Sequence, residues 1–195
     1  MTLTTREHIK AYLLLGLPLI GSHVAQFSIQ LADTVMLGWY SVETLAAQVL
    51  ASTMFFVVFI FGSGFAFAVM PKVAQAEGAG DERGARRVTR MGIWASIMFG
   101  ILAMPIFIFS KPLLVMLGQE PELAQLGSDY LAVAGWGIFP ALAVMVLKSF
   151  LSALERTQAV LWITIVAAFA NVLVNYALIF GNWGAPELGI VGAAW

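Results

Sequence analysis

The stretch "SIQLADTVMLG", residues 28–38, puts Asp33 near the end of a long run that is otherwise almost free of charge. At about 100° per residue, His23, Gln26, Gln30 and Asp33 fall within roughly a third of a helix circumference, with Ser22 at its margin. A carboxylate in such surroundings must be neutralised by a proton, a cation or a base, and each of these gives a coupling mechanism. For the glutamines the competing reading is interhelical hydrogen bonding, worth about 1 kcal/mol or less per bond. A second polar group lies in "TIVAAFANVLVNYALIF", residues 164–180. Asn171 and Asn175 are four apart and Thr164 is two turns before Asn171, so all three share a face. Two amide oxygens and a carboxylate can line one cation or hold one protonated acid. Oxygen ligands suit Na⁺, by analogy with the hard divalent ions. Asp33, Asn171 and Asn175 are thus the candidate proton- or cation-coupling set, with Gln26, Gln30 and Thr164 as candidate cavity lining. Taken alone, the two asparagines are equally explained as bonds across a helix contact.

The elements that must hold these groups are set by composition. Of 195 residues, 61% are hydrophobic and 11% charged, against about 25% charged in a soluble domain. Mean hydropathy is +0.89. This is an integral membrane chain in contact with lipid. Without cysteine, disulfides and thiolate metal sites are excluded. A net charge of −1 gives no case for a nucleic-acid partner. Lipid accepts only helices or closed barrels, and the apolar runs are continuous, not alternating, so the fold class is all-α. Five spans are expected, at 11–38, 45–71, 91–117, 125–154 and 158–180, each near the roughly 20 residues a bilayer requires.

The connectors carry turn chemistry or charge: "WYSVET", "KVAQAEGAGDERGARRVTR", "GQEPELA", "ERT" and "NWGAPELG". A secretory signal is not expected, because the first apolar run is too long and carries a polar stripe in place of a small-residue cleavage site. Arg6 and Lys10 precede the first span, Lys72, Arg83, Arg86, Arg87 and Arg90 fill the second connector, and Arg156 lies in the fourth. The opposite connectors hold none, apart from Lys111 close to one of them. By the positive-inside rule the N-terminus is cytoplasmic, and an odd number of spans puts Trp195 outside.

Other features inside the spans are weaker. Pro18, Pro105 and Pro140 should kink their helices. Gly62 and Gly64 are expected to permit close helix packing. Lys148, with Ser149 and Ser152, lies within about two turns of the cytoplasmic end of its helix and is read as snorkelling to the interface. His23 is read as a bonded packing residue, and Asp129 as solvated near the outer surface.

Several blocks together carry a resemblance. "GLPLI" at 16–20, "LADTVMLG" at 31–38, "VAQAEGAGDERGARRV" at 73–88, "LKSFLSAL" at 147–154 and "NVLVNYALIFGNWGAPELGIVGAA" at 171–194 resemble the MATE (multidrug and toxic compound extrusion) transporters, the last block most of all their bacterial NorM-like branch. The resemblance implies a multi-pass antiporter of the bacterial inner membrane that expels cationic, amphipathic drugs in exchange for Na⁺ or H⁺ and needs no other cofactor. It implies twelve helices in two six-helix lobes around a cavity. Carried onto this chain, Asp33 matches the family's helix 1 acid, and Asn171 and Asn175 its helix 5 polar pair. Some relatives have an aspartate where Asn175 stands, so a relay through two acids of this lobe is in doubt. The expectation is therefore an N-terminal part, residues 1–195, holding most of one lobe, with the sixth helix and the C-lobe as missing partner.

Other classes fare worse. A membrane enzyme would need a nucleophile and base or a metal cluster, yet no HExxH, GxSxG or paired catalytic acids occur, and no enzyme is expected. A lipid-linked sugar flippase of related fold is the alternative. It would place several basic residues in its cavity, where these spans offer only Lys148. A purely structural membrane subunit is the third possibility, and the polar stripe argues against it.

Overall fold

The computed structural model describes residues 5–194. Turn chemistry divides the chain. The first helix, α1 (Thr5–Tyr40), stops where Ser41 turns extended and caps α2 (Val42–Gly78), its Oγ accepting from the backbone N–H of Glu43 at 3.1 Å and Thr44 at 3.4 Å. Residues 79–81 form a tight turn, and Asp81 Oδ1 accepts from the Gly84 N–H at 2.9 Å to open α3 (Glu82–Ile108). A short helix, α4 (Ser110–Met116), leads to α5 (Pro121–Ala134), which opens on Pro121, where a missing N–H costs nothing. One 3₁₀ turn, Gly135–Gly137, joins it to α6 (Ile138–Ala153), and α7 (Thr157–Phe180) ends on Gly181 at φ 68°, a left-handed position that glycine takes freely.

Five helical stretches are long and apolar enough to cross a membrane: Tyr12–Tyr40, Val42–Gly78, Glu82–Ile108, Pro121–Ala153 and Thr157–Phe180. Among the described residues there is no strand. The boundaries differ most from expectation at the second connector, after Pro105 and within the fourth span. Pro71 does not end α2, which runs a further seven residues, and α3 begins at Glu82 in place of residue 91, so most of the charged second connector is helix. The third span does not reach residue 117. It ends at Ile108, three residues after Pro105, and the remainder folds as α4. The fourth span is interrupted by the 3₁₀ turn just before Pro140, where tighter winding accommodates the bond that proline cannot make.

The bundle is packed around α2, which touches α1, α3, α5 and α6, while α1 lies chiefly along α7. Ala51, Val58, Phe107, Leu131, Ile138 and Leu142 form one buried cluster, with Phe55 stacked on Phe107 at 5.4 Å between ring centroids. Ala66, Val69, Val73, Ala85 and Val146 form a second. Gly62 allows this approach, since a Cβ there would lie 2.7 Å from the Phe99 ring and 2.9 Å from Leu142. Gly64 does not share that role, because open space surrounds it. The outward surface carries Phe61, Leu102, Trp162 and Phe169, all more than half exposed, as expected of a chain whose outer solvent is hydrocarbon. A cleft of about 340 Å³ lined by Glu77, Glu82, Arg86, Leu154 and Arg156 brings the α2–α3 and α6–α7 turns to the same end of the bundle. Basic residues from two separate connectors therefore lie at one end of the bundle.

Candidate functional site

The polar stripe of α1 opens onto a groove of about 780 Å³. His23, Gln26, Gln30, Asp33 and Thr34 form one wall. The α2 wall offers Gln48, Ser52 and Thr53 among Phe55, Phe56 and Phe59, and α5 and α6 close it with Tyr130, Ala141 and Met145. The site thus alternates aromatic surface with a few polar groups, the usual make-up of a small-molecule pocket.

Asp33 stands where α1 meets α7. Asn175 Nδ2 donates to Asp33 Oδ1 at 2.6 Å, and the same amide nitrogen lies 3.4 Å from Asn171 Oδ1. Asn175 is 1% exposed, so its amide finds its partners within the protein. The orientation has a physical cause. An ionised carboxylate only accepts hydrogen bonds, so an NH₂ turned towards Asp33 is the amide orientation that suits the charged acid. A bond of this charge-assisted kind is worth about 1.5–3 kcal/mol. A cation shared by the pair would instead call for the amide oxygen, which requires the amide to rotate by half a turn.

The remaining residues singled out in the sequence are placed unevenly. Gln26 and Gln30 line the groove, the asparagines do not, and among the described residues Asp33 is the one member of the stripe hydrogen-bonded to them. Thr164 is buried and spends its hydroxyl on the Val160 carbonyl at 2.8 Å, as expected of a helix threonine, and does not line the groove. Ser22 is also buried and bonds the Leu19 carbonyl at 2.8 Å. His23 is not a packing residue; it is exposed on the groove wall. Lys148 has a partner on another helix. Its Nζ crosses to α1 and donates to Gln26 Oε1 at 3.1 Å. Asp129 is exposed near its end of the bundle and accepts from Gln125 Nε2 at 2.7 Å.

Gln48, Ser52 and Tyr130 are among the groove residues that escaped the sequence reading. Gln48 and Ser52 are four apart on α2, and Gln48 Nε2 donates to Ser52 Oγ at 3.2 Å. Gln48 Oε1 is buried and takes no protein donor among the described residues. Tyr130 completes this wall. The spacing that marked Asn171 and Asn175 would have marked Gln48 and Ser52 as well. For Tyr130 no periodic signal exists. Among the described residues no three His, Cys, Asp or Glu side chains group as metal ligands.

Comparison with known proteins gives a consistent result. The MatE family model matches residues 18–177. A probable multidrug resistance protein NorM of Rhizobium meliloti (strain 1021) is 49% identical over 187 residues, covering 96% of this chain and 40% of the relative. A protein of the same description from Synechocystis sp. is 37% identical over 185 residues, again covering 40% of the relative. The chain therefore spans about 40% of the length of these curated relatives. Among solved structures, a MOP superfamily transporter from Pyrococcus furiosus superposes with a TM-score of 0.84 at 22% identity, over 95% of this chain and 40% of that one. The eukaryotic MATE transporter AtDTX14 superposes with a TM-score of 0.86 at 21% identity, over 97% and 41%. At these identities the structural likeness is one of fold.

Proposed function

The chain belongs to the MatE family, and we propose that its five spans serve as one lobe of a secondary active multidrug efflux transporter, exporting cationic, amphipathic compounds in antiport with Na⁺ or H⁺. The observation that carries this reading is Asp33. It is a carboxylate inside a membrane span, held at 2.6 Å by the buried amide of Asn175 on the wall of a 780 Å³ groove. Charges in spanning segments are costly, and they are kept where they line a pathway. The names of the curated relatives, multidrug resistance proteins, support the same reading.

The proposed mechanism is competition. Ionised Asp33 attracts a cationic drug into the aromatic groove. When H⁺ or Na⁺ neutralises the carboxylate, that attraction is lost and Asn175 can present its carbonyl, either to the acid proton or to the ion. The amide thus reads the charge of Asp33 and reports it to the α1–α7 contact. Pro18, inside α1, leaves a backbone carbonyl unbonded one turn earlier and lowers the cost of bending that helix. The ion can shift the balance between conformations only by its difference in affinity for them. A companion lobe closes the groove, the N-terminus lies in the cytoplasm, and the bilayer is the bacterial inner membrane. The work is transport, with the coupling ion as a second substrate and no covalent step.

The test is dye efflux from vesicles containing the full-length protein under an imposed Na⁺ or H⁺ gradient. Efflux that follows either gradient supports the reading. Its absence under both gradients, with correctly inserted protein, contradicts it.

A further inference from the structure

The groove is a seam between two sets of helices. α2, α3, α5 and α6 pack on one another, while α1 lies chiefly along α7. The α1–α7 contact is close, since a Cβ on Gly21 would stand 2.9 Å from Leu161 Cδ1. α1 and α2 are joined by the turn at Ser41, where a Cβ on Gly38 would lie 3.5 Å from Leu45. Away from that turn the groove separates them, its walls running from Thr34 back to His23 on α1 and from Gln48 on to Phe59 on α2.

One side-chain bond crosses the seam. Lys148 Nζ on α6 donates to Gln26 Oε1 on α1 at 3.1 Å, between residues 122 positions apart. Among the described residues no other side-chain hydrogen bond joins α1 to α2, α3, α5 or α6. Lys148 stands three residues beyond Met145, which lines the groove, so the two share a face of α6 and the bond lies at the end of the groove away from the Ser41 turn. Gln26 is seven residues before Asp33, and helical geometry puts both on one face of α1. That face is therefore tied to α7 through Asn175 at one level and to α6 through Lys148 at another. The second tie ends on a neutral oxygen that meets one of three N–H donors, and a neutral acceptor holds an ammonium less firmly than a carboxylate does.

We propose that the Lys148–Gln26 bond is a latch holding the α1–α7 pair against α2, α3, α5 and α6, and that its release widens the groove at the end away from the Ser41 turn. An ion or molecule that prefers the wider groove favours the released state by its difference in affinity for the two. The latch goes beyond the efflux reading, because it concerns which helices part and not what is carried or exchanged.

The test is a distance. In a full-length protein free of other cysteines, Val24→Cys on α1 and Gly78→Cys in the last turn of α2 carry a pair of spin labels; both positions are exposed, and nothing lies within 4 Å of a Cβ on Gly78. Lys148→Met and Gln26→Leu should each raise the ratio of long to short label distances by about tenfold, the scale of one hydrogen bond to a charged group. The double variant should go no further than either single one, because the same bond is removed once. Lys148→Arg, which keeps the donor, should stay at the wild-type ratio. Gln26→Leu alone carries the test if Lys148→Met fails to insert. An unchanged distribution in the single variants, shifts that add in the double variant, or a shift in Lys148→Arg as large as in Lys148→Met would each overturn the latch. None of these distances depends on dye export, so failure of the latch and failure of the efflux reading are distinguishable.

Discussion

Asp33 and Asn175 come from residues 142 positions apart in sequence and meet at 2.6 Å, so each fixes the chemistry of the other. Asn175→Leu keeps the branched shape and removes the donor. It should leave insertion normal and lower gradient-coupled efflux by about tenfold, the scale of a hydrogen bond to a charged group. Vesicle efflux together with expression level checks this. Asn171→Ala should weaken Na⁺ dependence more than H⁺ dependence if its amide oxygen is a cation ligand; an equal effect on both would mark the pair as packing. Thr164→Val should change efflux by less than about twofold, because the hydroxyl already satisfies a carbonyl of its own helix. Spacing made the two asparagines and the α1 stripe legible, since helical geometry alone puts four-apart residues on one face. It could not say which stripe residue meets which helix. That depends on helix rotation, and so Thr164 was assigned to the cavity lining although it does not line the groove.

Helix identity was legible at the scale of elements because lipid demands long apolar runs, and five of them are present. Their ends were not. Hydropathy stops at the first cluster of charges, but α2 and α3 continue past theirs to a three-residue turn that Asp81 caps. Helices leaving a bilayer can keep winding in water, and composition does not report it. Packing inside the bundle can be tested at Gly62 and Gly64, two positions that look alike in the sequence. Gly62→Val adds side chain where a Cβ would already stand 2.7 Å from Phe99, and should cost about 1–3 kcal/mol by overpacking. Gly64→Ala meets nothing within 4 Å and should be tolerated. Thermal denaturation of the detergent-solubilised protein should separate the two, and equal midpoints would contradict this account of the α2–α3–α6 contact.

Topology and coupling belong to the whole molecule. The α2–α3 and α6–α7 turns meet at one end, where Arg86 and Arg156 flank the same cleft, and from the positive-inside rule we propose that this end is cytoplasmic. Because the sequence has no cysteine, Gly80→Cys supplies a single thiol at the tip of the α2–α3 turn. It should resist membrane-impermeant thiol reagents in intact cells, and rapid labelling there would reverse the orientation. The relatives matched are longer than this chain by more than half their length, so coupling has to be measured in a full-length protein. Asp33→Asn addresses it most directly, because asparagine reproduces the neutral form at nearly constant volume and cannot be switched by an ion. Measured as dye efflux from vesicles under imposed Na⁺ and H⁺ gradients, the variant should insert and fold as the wild type does and show no gradient-driven efflux. Coupled efflux at the wild-type rate would contradict the assignment of Asp33 as the group on which drug and ion compete.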